Sequence, residues 1–237
     1  MTWGTRDPAS APWVIGGSPK GGEGFEAAVA AEVTRRLGFG PEATAWVAVT
    51  WDAILAPGSK TFDIAFDQIV ITPERGTVVD FSAPYYAVRQ AVVVLEANPA
   101  TRSVRTLSDL RSLRLGARQG SAAMLAITSL VAPTTSPSTY PPGSDAGVDA
   151  LRRGQIDGLV VDMPMAYFLT TVALADARIA GTLPQASDEP DQFGLVLEQH
   201  SPLTPCVDDV VAAMRQDGTL DALERTWLAN ENAPDLR

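Results

Sequence analysis

Phe62-Asp63-Ile64-Ala65-Phe66-Asp67-Gln68 and Ile156-Asp157-Gly158-Leu159-Val160-Val161-Asp162 share one pattern, a short apolar run that stops abruptly at polar residues. Ile54-Leu55 and a Gly turn precede the first, and Leu151-Arg152-Arg153-Gly154 precedes the second. Each therefore reads as helix, turn, then buried strand. In open α/β sheets ligands sit at the carboxyl ends of strands, which makes Asp67 with Gln68, and Asp162, candidates for a site built on two lobes.

The rest of the chain continues the alternation. Met1 to Arg6 and Ala45 to Val49 read as extended, and Phe25, Val29, Val33 and Leu37 fall at helical spacing between them. Asp63–Phe66, Ala91–Leu95, Leu113–Ala117, Ile156–Val161 and Phe193–Leu197 are short apolar runs suited to buried strands. Helices are expected over 121–131, 144–152, 163–173, 204–217 and 219–229, the last with Leu220, Leu223 and Trp227 on one face. Their starts are marked by Ser121, by Ser144 with Asp145 and, upstream, by Thr106 with Asp109. Ala132 to Gly143, with four prolines, is expected to be a loop. Such alternation is the mark of α/β layering.

Composition narrows the partners. With 46% hydrophobic residues in 237, the chain can bury one large core or two modest ones. A formal net charge of -10 argues against nucleic acid or anionic lipid, whose binding needs clustered Lys and Arg. A single cysteine, Cys206, excludes an internal disulfide and reads as a small core residue before an apolar helix. His200, also alone, excludes a multi-histidine metal site and looks like a solvated turn residue, and no cofactor is implied. No apolar run reaches the roughly 20 residues that span a bilayer, and no export signal opens the chain, so such a segment is expected to lie outside this sequence.

Asp67-Gln68-Ile69-Val70-Ile71-Thr72-Pro73-Glu74-Arg75, followed by Val79-Asp80-Phe81-Ser82-Ala83-Pro84-Tyr85-Tyr86, resembles the signature of the amino-acid-type periplasmic solute-binding proteins of ABC transporters. The resemblance extends in order to Gly4-Thr5 with Ala11-Pro12-Trp13, Gly24-Phe25-Glu26, Trp51-Asp52-Ala53, Gln119-Gly120-Ser121, Asp157–Asp162 and Gln216-Asp217-Gly218-Thr219-Leu220. It implies an α/β fold of the type 2 periplasmic-binding-protein kind: two lobes, each a mixed, mostly parallel sheet flanked by helices, joined by a two-strand hinge. Residues 1–88 and 193–237 would form lobe one and 89–192 lobe two, with the ligand cleft between them.

The resemblance also assigns roles. A free amino acid presents a carboxylate and an ammonium, and burying either without an opposite charge costs several kcal/mol. Arg75 stands where the family grips the carboxylate, in a planar fork that Lys cannot supply. The alternative is a surface-turn Arg paired with Glu74 or Asp80. Asp162 stands where the family holds the ammonium, and it also suits the N-cap of a helix starting at Met163-Pro164. Ser121 after Gly120 opens a helix whose free amides would meet the carboxylate, and it serves equally as a plain cap. Trp51 would face the ligand side chain or else pack in the core, and Ser10 takes a position often aromatic in relatives. Asp7 comes one residue late because of Arg6 and precedes Pro8, so a turn role competes with ligand contact. Val70 offers only its backbone amide, whereas Gln68 offers donor and acceptor to a polar ligand side chain.

A monomeric receptor for a small zwitterion, probed by a membrane permease and working outside the cytoplasm, is the function implied. Two others share the architecture: a dehydratase acting on cyclohexadienyl compounds, with Glu26 and Glu74 available by type as general acid, and the sensing domain of a larger receptor, which requires a neighbouring membrane segment.

Overall fold

The computed structural model describes residues 1–142, 144–185, 190–228 and 233–236. Gly143, the expected end of the proline-rich loop, and Ala229, the expected end of the last helix, lie outside the described residues. Packing divides the chain into two units, Met1–Ala87 with Gln192–Ala229 and Val88–Asp191 with Asn230–Arg237.

In chain order, the first leg of unit one holds β1 (Thr2–Thr5), α1 (Phe25–Arg36), β2 (Ala45–Ala48), α2 (Trp51–Leu55), β3 (Ile64–Ala65) and β4 (Val79–Phe81). The chain leaves it on β5 (Tyr86–Val88). Unit two holds β6 (Gln90–Leu95), α3 (Leu107–Leu110), β7 (Leu115–Arg118), α4 (Ala122–Ala126), β8 (Ser138–Tyr140), α5 (Ala146–Arg152), β9 (Gly158–Asp162), α6 (Met163–Phe168) and β10 (Ala177–Thr182). The chain returns on β11 (Asp191–Phe193), which pairs with β5, and completes unit one with β12 (Val196–Glu198), α7 (Thr204–Gln216) and α8 (Thr219–Trp227).

The unit-one sheet runs β2-β1-β3-β12-β4 and the unit-two sheet β10-β6-β9-β7-β8. Both are mixed. Among the described residues each has two parallel and two antiparallel pairings rather than a parallel majority. The cause is the same in both: β12 and β6, the strands entered from the crossings, run against their neighbours. Period-two alternation sorts the side chains of unit two: Val92 and Val94 of β6 with Val160 of β9 pack in one cluster, Ala91 and Val93 with Leu159 in the other. β6, apolar from Ala91 to Leu95, is thus a central strand with two buried faces.

In unit one the expected α1 stripe buries Phe25, Val29 and Val33. Gly24 precedes it at φ 100°, where a Cβ would stand 2.6 Å from the Trp13 carbonyl oxygen, so the helix entry requires glycine. Trp3 and Trp46, partners in the β1–β2 register, stack with ring centroids 6.1 Å apart.

Several expectations are corrected. Phe193–Leu197 is not one strand but the end of β11 and the start of β12, broken at Gly194, whose α-carbon lies so close to Ile71 and Phe81 that a Cβ would clash. The proline-rich loop contains β8, an edge strand paired in parallel with β7. The helices expected over 121–131 and 163–173 begin as α4 and α6 and finish as wider π turns over Ile127–Val131 and Leu169–Ala173. Asp145 precedes α5 without a side-chain cap, and the Ser144 hydroxyl donates to the Pro141 carbonyl instead. Cys206 is exposed, because the buried stripe of α7 is Val207, Val211 and Met214, and a residue one step earlier turns away from it. His200 is, as expected, an exposed turn residue, at φ 64°. Lobe one was expected to run to 237, yet Leu236 packs in the unit-two core and its amide donates to the Thr182 carbonyl. No helix among the described residues is long and apolar enough to cross a membrane.

Candidate functional site

Three parallel neighbours of unit one, β2, β1 and β3, end at the same sheet edge. Trp51 follows β2, Arg6 follows β1, and Asp67 and Gln68 follow β3. Chain direction and strand order therefore gather residues distant in sequence.

Gln68 has φ 53°, a left-handed conformation that turns the chain just after β3 and aims its amide and side chain at α1. Its backbone N–H donates to Glu26 Oε1 at 2.8 Å and its Nε2 to Glu26 Oε2 at 2.6 Å. The Tyr85 hydroxyl also donates to Glu26 Oε1. Glu26 is 1% exposed, and burial pushes its carboxyl up to about 7, against the pull of the Tyr85 and Gln68 hydrogen bonds and with help from the neighbouring Asp67 charge. On the other side Gln68 Oε1 accepts from Arg6 Nη2 at 2.9 Å, so the amide that the sequence offered to a ligand is engaged at both ends within the protein. Arg6 Nη2 also donates to Ser10 Oγ at 2.8 Å, and Arg6 Nε lies 2.9 Å from Asp67 Oδ1 as an ion pair rather than an aligned hydrogen bond. Asp7 is exposed and precedes a cis Pro8.

Val70 is bridged to Phe193, with flanking bonds from the Ile71 amide to the Gln192 carbonyl and from the Gly194 amide to the Ile69 carbonyl. That makes Val70 a non-hydrogen-bonded pair member whose N–H points away from the partner strand. Its carbonyl accepts from Arg75 Nη1 at 2.8 Å, and the Arg75 guanidinium carbon stands 5.6 Å from the Trp51 ring centroid. Asp80, one suggested partner for Arg75, accepts from Ser201 and Thr204. Trp51 is 8% exposed and packs with Ile54, Phe62 and Ile69, so it belongs to the core cluster and also carries Arg75 on its ring.

In unit two, Gly120 and Ser121 follow β7 and Asp162 closes β9, again neighbouring parallel strands. Ser121 Oγ donates to the Arg118 carbonyl and accepts from the Met124 amide, so it caps α4, with Gly120 at φ 68° making the turn. Asp162 Oδ1 accepts from the Met165 amide at 2.8 Å, capping α6 with Pro164 in its first turn.

The sequence reading missed Arg6, Tyr85 and the burial of Glu26. Only the extra residue that displaces Asp7 hinted at Arg6. No group of three or more His, Cys, Asp or Glu among the described residues could hold a metal ion.

Comparison with known proteins agrees with the topology. The chain is 29% identical over 205 residues, 86% of it and 73% of the relative, to the L-cystine-binding protein TcyJ of Escherichia coli (strain K12). In fold it is similar to an ancestral arginine-binding protein bound to arginine, with a TM-score of 0.76, 24% identity and coverage of 97% of this chain and 98% of the other. It is also similar in fold to the ancestral amino acid-binding protein AncCDT-1, a precursor of cyclohexadienyl dehydratase, at a TM-score of 0.74, 24% identity and coverage of 96% and 94%. A family model matches residues 2–230, and the chain belongs to the bacterial extracellular solute-binding proteins, family 3.

Proposed function

We propose that this solute-binding protein captures a free amino acid outside the cytoplasm and presents it, as a monomer, to an ABC permease. Arg75 carries the reading. Its guanidinium is held by the Val70 carbonyl and the Trp51 face, beside a Val70 amide directed away from its strand. A carboxylate placed there would gain the guanidinium fork and a backbone donor, each charged hydrogen bond contributing roughly 1.5–3 kcal/mol. Asp162, whose Oδ1 caps α6, would take the ammonium, and Gly120 and Ser121 would meet the carboxylate. Ser10 and Gln68 would face the ligand side chain, and Asp7 the mouth of the site.

Thermal denaturation with each standard amino acid tests this: a ligand at 100 times its Kd adds about 2.7 kcal/mol to native stability. Arg75→Ala is expected to abolish that gain while leaving the free protein folded, since the change removes a partly exposed charge and no core group. Undiminished ligand stabilisation in the variant would remove Arg75 from the site.

Dehydratase chemistry on the same fold needs an accessible general acid. Glu26 has a carboxyl raised to about 7, but it is 1% exposed and enclosed by Gln68 and Tyr85, which favours the receptor reading. Aromatic product on incubation with prephenate or arogenate would reverse that preference.

A further inference from the structure

We propose that Arg6 sets the charge of the ligand side chain: by pairing with Asp67 at the carboxyl edge of β1 and β3, it offsets that carboxylate, so the protein selects amino acids whose side chains carry no net charge. The inference rests on the receptor reading above and adds the ligand class to it.

β1 and β3 are parallel neighbours, and the first residue after β1 and the second after β3 bring a guanidinium and a carboxylate to 2.9 Å. Both side chains are enclosed, with 13% of Arg6 and 1% of Asp67 exposed. A buried carboxylate demands a counter-ion, and Arg6 supplies it from within the chain. The same guanidinium donates to Ser10 and Gln68, two residues expected to face the ligand side chain, so the pair is held in that neighbourhood from both sides. A cationic ligand side chain arriving there finds the acid engaged and a like charge beside it. An anionic one finds Arg6 engaged and Asp67 repelling it. A polar side chain without net charge meets only donors and acceptors. Glu26, beyond Gln68, adds less than a full charge near neutral pH because burial raises its carboxyl to about 7.

Calorimetric titration of the intact protein against a neutral set (glutamine, asparagine, serine, threonine), a cationic pair (arginine, lysine) and an anionic pair (glutamate, aspartate) reads the ranking. The native protein is expected to bind its best neutral ligand at least about tenfold more tightly than any charged one. Arg6→Gln keeps donors for Ser10 and Gln68 but removes the charge, and should raise arginine or lysine affinity about tenfold relative to that neutral ligand. Asp67→Asn should do the same for glutamate or aspartate. Arg6→Lys, and the double variant R6Q/D67N, should restore the native ranking, the latter also showing that the charge change and not misfolding moved the single variants. A native protein that binds a charged amino acid best, or single variants that keep the native order, would overturn the role of Arg6 while leaving the receptor reading intact. Failure of every amino acid to bind the native protein would overturn both.

Discussion

Glu26 shows how one side chain couples the fold to its surroundings. Burial raises its carboxyl from 4.5 to about 7, so between those values the folded protein holds a proton that the unfolded chain has released. Stability therefore falls as the pH rises through that window, by roughly 3 kcal/mol in total, and is greatest for this group below about pH 4.5. Asp157 works in the opposite sense at lower pH: paired with Arg114, its carboxyl drops from 3.8 to about 2, and the stability it contributes is lost progressively as the pH falls between those values. Urea denaturation of the native protein and of Glu26→Gln at pH 5 and pH 8 separates the two, since the variant is expected to lose the decline between them. An identical decline in the variant would place the titrating group elsewhere. Nothing in the letters Gly24-Phe25-Glu26 announces this carboxyl as buried, because its enclosure comes from Gln68 and Tyr85, 42 and 59 residues away.

At the level of elements, the turn from β9 into α6 rests on Asp162, for which a helix cap and an ammonium anchor are compatible roles. Asn caps as well as Asp but carries no charge. Asp162→Asn is thus expected to keep the α6 cap while weakening amino-acid binding at least about tenfold, whereas Asp162→Ala loses binding and also the cap, about 1 kcal/mol of stability. Native affinity in Asp162→Asn would leave Asp162 as a cap alone. Caps and long periodic helices were the most legible elements: Thr106 and Asp109 form the full capping box that their spacing suggested, and α1 and α7 bury regular stripes. Short edge strands were the least legible. β8 is three residues inside a proline-rich segment, and only its partner β7 makes it a strand.

For the whole molecule, a ligand shifts an equilibrium between an open and a more compact form by no more than its differential affinity for the two states. Small-angle scattering of the native protein is expected to show a smaller radius of gyration once the best amino acid is added, and Asp162→Asn a smaller change. Tight binding by the native protein at constant radius would rule out closure. The alternation of strand and helix was enough by itself to give α/β layering, since periodicity, caps and turn residues are local properties, and the resemblance carried by the order of short motifs from Gly4 to Leu220 pointed to the family to which the chain belongs. Tertiary structure alone decided that Arg6 meets Asp67, that Gln68 serves Glu26 and Arg6, and that the C-terminal Leu236 packs in unit two. Arg6 and Gln68 are 62 residues apart, and what joins them is the pairing of β1 with β3, a choice of strand neighbour that no local pattern records.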